Sequence, residues 1–247
     1  MPLTLGYWKI RGLASALRYQ LAYSGVNDYE MVEYEQGDGP EFSRQTWLDV
    51  KPTLGLAFPN LPYLIDGDHS MTETLAIHKY LADKYKPELL GGDAGQRGHV
   101  QMLAGILFEL KFAITPPCYG SGNKDEMNAE ATKRIPALIT FRGDHKFFFD
   151  SPTWIDFQFY ETIQLLAFVN PNFFTEFPSL QGYVDNVRAL PGLAEYLADP
   201  NHREATYLFN NKVAKINNNW FAYKFNLNHK NDTNKLIDFL LFYNLFN

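Results

Sequence analysis

The sequence predicts two structural parts, a small α/β domain followed by a larger all-α one. Three observations carry this. The first 85 residues read in the order β-α-β and then β-β-α; Leu90-Gly91-Gly92-Asp93-Ala94-Gly95 breaks the pattern; and everything from Gln96 onward reads as helix.

Leu3–Gly6 alternates as a short strand, and Leu13–Gly25 aligns Leu13, Leu17 and Leu21 on one helical face with Gly25 as its stop. Tyr29–Tyr34 is a second strand. The polar stretch Glu35–Lys51 follows, in which Gly37-Asp38-Gly39-Pro40 is turn or loop chemistry. Tyr63–Ile65, an Asp66-Gly67 turn and Asp68–Met71 form a hairpin, and a helix runs from about Thr74 to Tyr85. This order is that of a thioredoxin-like domain of mixed sheet topology, assigned to residues 1–85, with a linker at 86–95.

Residues 96–216 are predicted to be all-helical. Gln96–Ile114 is long and apolar on at least one face, and Glu126–Phe141 contains Pro136, which predicts a kink. Thr153-Trp154-Ile155-Asp156 reads as a capping box ahead of an apolar run to Phe168. Shorter helices follow near Leu180–Arg188 and Leu193–Leu197. From 217 to 247 the composition shifts: nine of these 31 residues are Asn, with no Gly or Pro. An incidental extension explains this; the alternative is an amphipathic docking segment at Leu236–Phe246, too short to span a bilayer.

Composition narrows the function classes. At 46% hydrophobic and 20% charged residues, the 247-residue chain is globular rather than disordered. A net charge of -6 with no basic cluster argues against nucleic acid. There is no membrane span, and Met1–Leu5 starts directly in strand-like alternation, so a cytoplasmic location is expected. The single cysteine, Cys118, forms no internal disulfide, and His69, His78, His99, His145, His202 and His229 show no ligand spacing, so no metal is expected.

Two long segments carry a family resemblance. They are Leu5-Gly6-Tyr7-Trp8-Lys9-Ile10-Arg11-Gly12-Leu13-Ala14 and Leu54-Gly55-Leu56-Ala57-Phe58-Pro59-Asn60-Leu61-Pro62-Tyr63-Leu64-Ile65-Asp66-Gly67. With them the chain resembles a mu-class cytosolic glutathione transferase from Met1 to about Tyr207, and Glu35–Trp47 resembles the extended loop of that class. The resemblance implies the glutathione transferase fold and an enzyme joining glutathione to small hydrophobic electrophiles. Glutathione is then a co-substrate, and no other cofactor is expected.

By the same resemblance Tyr7 activates the thiol. A thiol of pKa about 8.5 is mostly protonated at neutral pH, and a hydroxyl aimed at the sulfur favours the nucleophilic thiolate. Trp8, Arg44, Trp47 and Lys51 match positions holding the glycyl end, and Asn60 and Leu61 those pairing with the cysteinyl backbone; Pro62 matches the family's cis-proline. Glu73 and Thr74 match the γ-glutamyl site, where the mu pattern has Gln and Ser. A hydroxyl at a helix start suits a carboxylate, although Thr72 or Thr74 as a plain cap explains the same residues. Glu109 matches an acidic residue supplied by the partner subunit. Tyr119, after Cys118, matches a residue lining the electrophile site, with a packed aromatic as the alternative; Pro116-Pro117 departs from the pattern there. Phe58 matches an aromatic that anchors a homodimer, the alternative being a ring folded back on its own sheet. The rival from another class is a non-catalytic scaffold or ligand-binding subunit built on the same fold.

Overall fold

The computed structural model describes residues 2–199, 208–209 and 212–216. The Asn-rich extension assigned to 217–247 lies outside these residues.

The first part contains β1 (Thr4–Trp8), α1 (Ser15–Tyr23), β2 (Glu30–Tyr34), α2 (Gln45–Leu48), β3 (Tyr63–Asp66), β4 (His69–Thr72) and α3 (Thr74–Tyr85). The sheet order is β2-β1-β3-β4, with β1–β2 parallel and the other two pairs antiparallel. A parallel pair needs a crossover, which α1 supplies. Strand β1 runs on to Trp8 because its ladder with β2 continues through Tyr7↔Glu33 and Trp8↔Tyr34. Helix α1 begins at Ser15 rather than Leu13, since residues 10–14 are spent on the turn out of the strand. The hairpin turn also sits one residue later than the sequence pattern suggests. Asp66 pairs with His69, leaving Gly67-Asp68 as the loop, and Gly67 takes the left-handed φ of 61° that glycine tolerates. The expected loop before β3 holds α2 and a 3-10 turn at Lys51–Thr53.

The second part is helical among the described residues: α4 (Ala94–Tyr119), α5 (Lys124–Arg142), α6 (Trp154–Val169), α7 (Phe173–Glu176), α8 (Ser179–Arg188) and α9 (Leu193–Ala198). Residues 86–95 hold a 3-10 turn at Pro87–Leu90 and the start of α4, whose N-cap Asp93 accepts the Gln96 N–H at 2.8 Å. Helix α4 continues through Pro116 and Pro117 and ends about one turn later than expected. The capping box forms as read. Asp156 accepts the Thr153 N–H at 2.7 Å, and also the Phe148 N–H at 3.0 Å and the Tyr183 hydroxyl at 2.8 Å.

Helix α6 is buried along almost its whole length and packs against α1, α4, α5 and α8. Its side chains and those of α4 are the two largest contributions to the largest apolar cluster. A second cluster lies between the sheet and α1 and α3, through Leu5, Leu17, Leu64, Ile77 and Leu81. A third surrounds the end of β1, through Tyr7, Ile10, Tyr34, Trp47, Leu61 and Tyr63.

The two parts meet partly through His78 of α3, whose buried ring stacks on Trp154 of α6 at 5.1 Å and 24°. Its Nδ1 donates to Gln20 Oε1 at 2.5 Å, and Gln20 Nε2 donates back to the His78 carbonyl at 2.9 Å. Burial, with the Lys111 charge adding to it, pulls the imidazole from 6.5 down to about 3. Below 6.5 the unfolded chain therefore takes up a proton that the folded chain refuses, and stability falls as pH drops toward 3. His78→Gln removes this site. The loss of urea stability between about pH 7.5 and about pH 5.5 is then expected to shrink by about 1.4 kcal/mol; an unchanged loss refutes the assignment.

Candidate active site

The site is built where β1 ends and the chain turns into α1. Tyr7 is buried in β1, and its hydroxyl oxygen accepts the backbone N–H of Leu13 at 3.0 Å. The ring passes closely over Gly12. A Cβ there would lie 2.6 Å from the Tyr7 hydroxyl, and Gly12 has a φ of 47°, so both space and backbone demand glycine. Burial pushes the Tyr7 hydroxyl up to about 12; the Leu13 N–H and the Arg18 charge pull it down, while Tyr119 and Glu161 raise it further. At neutral pH the group stays protonated. Its oxygen is already engaged as an acceptor, its proton is left to donate, and accepting an N–H makes it a better donor.

The turn is held by charges from three helices. Arg11 is fully buried and forms a forked ion pair with Glu161 of α6, at 3.2 Å through Nε and 2.5 Å through a terminal nitrogen. Tyr19 of α1 joins it, donating to Glu161 at 2.9 Å. Arg18 donates to the Ile10 carbonyl at 3.3 Å, and Lys111 of α4 reaches the Gly12 carbonyl at 2.7 Å. None of these was singled out by sequence reasoning. The available signal was Glu161, a carboxylate in the middle of the mostly apolar run of α6 with no capping role of the kind Asp156 has.

The expected site residues fall into groups. Tyr7, Trp47 and Leu61 share one buried cluster, with Trp8 packed against it. Trp47 stacks on Tyr63 at 6.1 Å and meets Tyr34 edge-on at 5.2 Å, so its ring is a wall of this cluster. Arg44 is exposed at the start of α2, Lys51 half-buried in the following 3-10 turn, and Asn60 exposed just before the cis peptide Leu61–Pro62. Glu73 is exposed and holds a φ of 73°, unusual for a residue with a side chain, immediately before the buried Thr74 opens α3. Neither threonine caps α3 through its side chain; the Thr72 hydroxyl donates instead to the Phe58 carbonyl at 2.9 Å. Phe58 itself is 81% exposed, which excludes the folded-back reading within this chain.

Tyr119 ends α4 and meets Phe209 edge-on at 5.8 Å. The Leu208 carbonyl accepts the Gly12 N–H at 3.3 Å, and Lys212 pairs with Asp38 at 2.8 Å, so these two residues reach the turn after β1 and the loop after β2. Glu109 stands apart, exposed on α4, where it accepts from Arg134 of α5 at 3.2 Å. Cys118 is buried and its thiol is pushed up to about 12 by desolvation, which makes it inert. Among the described residues no His/Cys/Asp/Glu group is arranged to hold a metal ion, and no helix is long and apolar enough to cross a membrane.

A thioredoxin-like sheet bearing a neutral strand-end tyrosine, docked on an all-helical half, is the architecture of the glutathione transferase fold. Comparison with known proteins agrees. The family models described as glutathione S-transferase N-terminal domain and C-terminal domain match residues 3–83 and 122–200. Glutathione S-transferase Mu 4 of Mus musculus is 35% identical over 202 residues, covering 80% of this chain and 91% of that protein. The glutathione S-transferase of Dermatophagoides pteronyssinus is 37% identical over 198 residues, covering 78% and 89%. Among solved structures, the glutathione S-transferase Blo t 8 superposes with a TM-score of 0.74 at 27% identity, covering 86% of this chain and 99% of that one. The chain belongs to the glutathione S-transferase family.

Gly12 gives a direct test of the turn. Gly12→Ala places a methyl against the Tyr7 ring at a positive φ, with an expected cost on the order of 1–3 kcal/mol. Denaturant unfolding should show that loss together with a fall in transferase turnover; wild-type values for both refute the packing described.

Proposed function

We propose that this chain adds the thiolate of glutathione to small hydrophobic electrophiles, with Tyr7 as the residue that activates the thiol. The observation that carries this is the buried, neutral Tyr7 hydroxyl, oriented by the Leu13 N–H at 3.0 Å with its own proton left to donate. Directed at the glutathione sulfur, that proton stabilises the thiolate over the thiol, and each pKa unit of depression corresponds to about 1.4 kcal/mol. The thiol proton leaves to solvent, the sulfur lone pair attacks the electrophile, and the leaving group departs or the developing oxyanion is protonated.

The glutathione cradle draws on both edges of the third cluster. Arg44 and Lys51, cationic and at least partly exposed, suit the glycyl carboxylate together with Trp8 and Trp47. Asn60, Leu61 and Pro62 offer the backbone beside β3 to the cysteinyl amides. At the start of α3, the strained Glu73 and the helix N-terminus at Thr74 suit the γ-glutamyl end, the Glu73 carboxylate pairing with its ammonium and the backbone donors with its carboxylate. Tyr119, whose ring meets Phe209 edge-on, is assigned to the electrophile side, its hydroxyl donating to a developing oxyanion. No cofactor beyond glutathione is needed.

The finer reading is a mu-like, cytoplasmic detoxification enzyme acting as a homodimer. Phe58, 81% exposed in one chain, is the anchor that enters the partner, and Glu109 then completes the glutathione site across the interface.

Calorimetry with glutathione, paired with conjugation of a generic aryl halide across pH, tests this directly. Tyr7→Phe should leave glutathione affinity nearly unchanged, lower turnover at neutral pH by roughly 10²-fold, and move the apparent thiol pKa back toward about 8.5. Binding and turnover lost in equal measure would assign Tyr7 to packing, and absence of glutathione binding by the native chain would favour the scaffold reading. In sedimentation, Phe58→Ser should shift the native dimer toward monomer at low concentration; an unchanged dissociation constant refutes the anchor.

A further inference from the structure

The Gly12–Leu13 peptide unit is held at both ends. Its carbonyl oxygen accepts from Lys111 Nζ at 2.7 Å, and its N–H donates to the Tyr7 hydroxyl at 3.0 Å. In a trans peptide these two groups lie in one plane and point in opposite directions, so fixing one fixes the other. A cation on the carbonyl also draws electron density through the amide and makes its N–H a stronger donor. The chain Lys111–peptide–Tyr7 is therefore continuous from α4, in the helical part, to the hydroxyl at the end of β1.

The remaining polar groups of the turn are already engaged elsewhere. The Ile10 carbonyl accepts from Arg18, and the Arg11 carbonyl receives the N–H groups of Ala14 and Ser15 at 3.2 and 3.1 Å. The Arg11 side chain is locked in its forked pair with Glu161, with Tyr19 on the same carboxylate. A buried ion pair of this kind contributes little net stability but fixes geometry. The turn is thus a rigid frame in which one peptide unit faces Tyr7, and that unit is the one Lys111 grips.

We propose that Lys111 is a positioning residue for the reaction: it orients and polarises the Gly12–Leu13 peptide, and through it the Tyr7 hydroxyl that stabilises the glutathione thiolate. This rests on the reading of Tyr7 given above. The charged or titratable groups that act on Tyr7 are Arg18 from α1, Glu161 from α6 and Tyr119 from α4, none of which the Lys111 substitutions below replaces. Lys111 has no part in covalent chemistry.

The test is the pH dependence of kcat/KM for an aryl halide, with glutathione affinity measured separately by calorimetry. Lys111→Met should raise the apparent thiol pKa by about half to one unit and lower kcat/KM at neutral pH by roughly three- to tenfold, with glutathione affinity held within about twofold. Lys111→Arg, which keeps a cationic donor, should recover most of the shift. The same Lys111→Met change made in Tyr7→Phe should produce no further pKa shift, because the relay ends at the missing hydroxyl. A shift that persists in Tyr7→Phe overturns the proposal in favour of a direct field of Lys111 on the sulfur. An unmoved profile in Lys111→Met, with only the melting temperature lowered, overturns it in favour of a structural contact. If Tyr7→Phe alone leaves the profile unmoved, it is the Tyr7 reading that fails, and the relay with it.

Discussion

Everything in this site depends on how the chain leaves β1. Between Trp8 and Ser15 the backbone is neither strand nor helix, and Arg11 and Ala14 within that stretch are fully buried. Buried peptide groups need partners, and a turn of this length cannot supply them all from itself. Side chains from two helices supply them, Arg18 from α1 and Lys111 from α4, while Glu161 from α6 fixes the Arg11 side chain. The Arg11–Glu161 pair is the element without which the arrangement has no fixed geometry. Removing either partner would leave an unpaired charge in the interior, at a cost of several kcal/mol. The same pair joins the two parts of the molecule, so the geometry at Tyr7 is a property of their docking and not of the sheet alone.

Much of the fold was legible because it rests on local signals. The mixed parallel and antiparallel sheet followed from the β-α-β and β-β-α order, and the α6 start followed from a capping box that forms with the named residues. The errors have local causes of another kind. Strand β1 outran its pattern because its end is decided by pairing with β2, a partner more than twenty residues away that periodicity does not register. Helix α4 outran Ile114 although Pro116 and Pro117 deprive the Phe112 and Ala113 carbonyls of their helical donors; the end is closed instead by the Gly120 and Gly122 N–H groups, which donate to the Pro116 and Pro117 carbonyls at 2.8 and 2.7 Å. Helix α2 was missed because one turn of four residues leaves no periodicity to count.

The site was legible only in part, and the boundary is physical. Tyr7, Trp47 and Leu61 lie in motifs, and the structure gathers them into one cluster. Glu109 was named from a motif too, yet within a single chain it faces Arg134 and solvent. Residues that orient Tyr7 were not named at all. Lys111 and Gly12 are 99 positions apart, Glu161 and Arg11 150, and a lysine on a long helix or a glutamate in an apolar run looks like a solvated charge until the docking is known. Glu161 in particular sits among Tyr160, Thr162 and Ile163, where a charge demands a partner that sequence cannot identify.

The contact that matters most to Tyr7 is made by a backbone N–H. The side chain of Leu13 is consequently free to vary without altering the bond, whereas Gly12 is not, since any Cβ there meets the tyrosine ring. The same logic runs through the third cluster, where Gly6 leaves room for Tyr63, whose ring would lie 2.1 Å from a Cβ at that position. The geometry here is thus set by two glycines that let aromatic rings approach the main chain, and by distant charges that hold the turn. A family fingerprint rich in glycine and aromatic residues is what such a site requires, because the groups it orients belong to the backbone and leave no side-chain signature of their own.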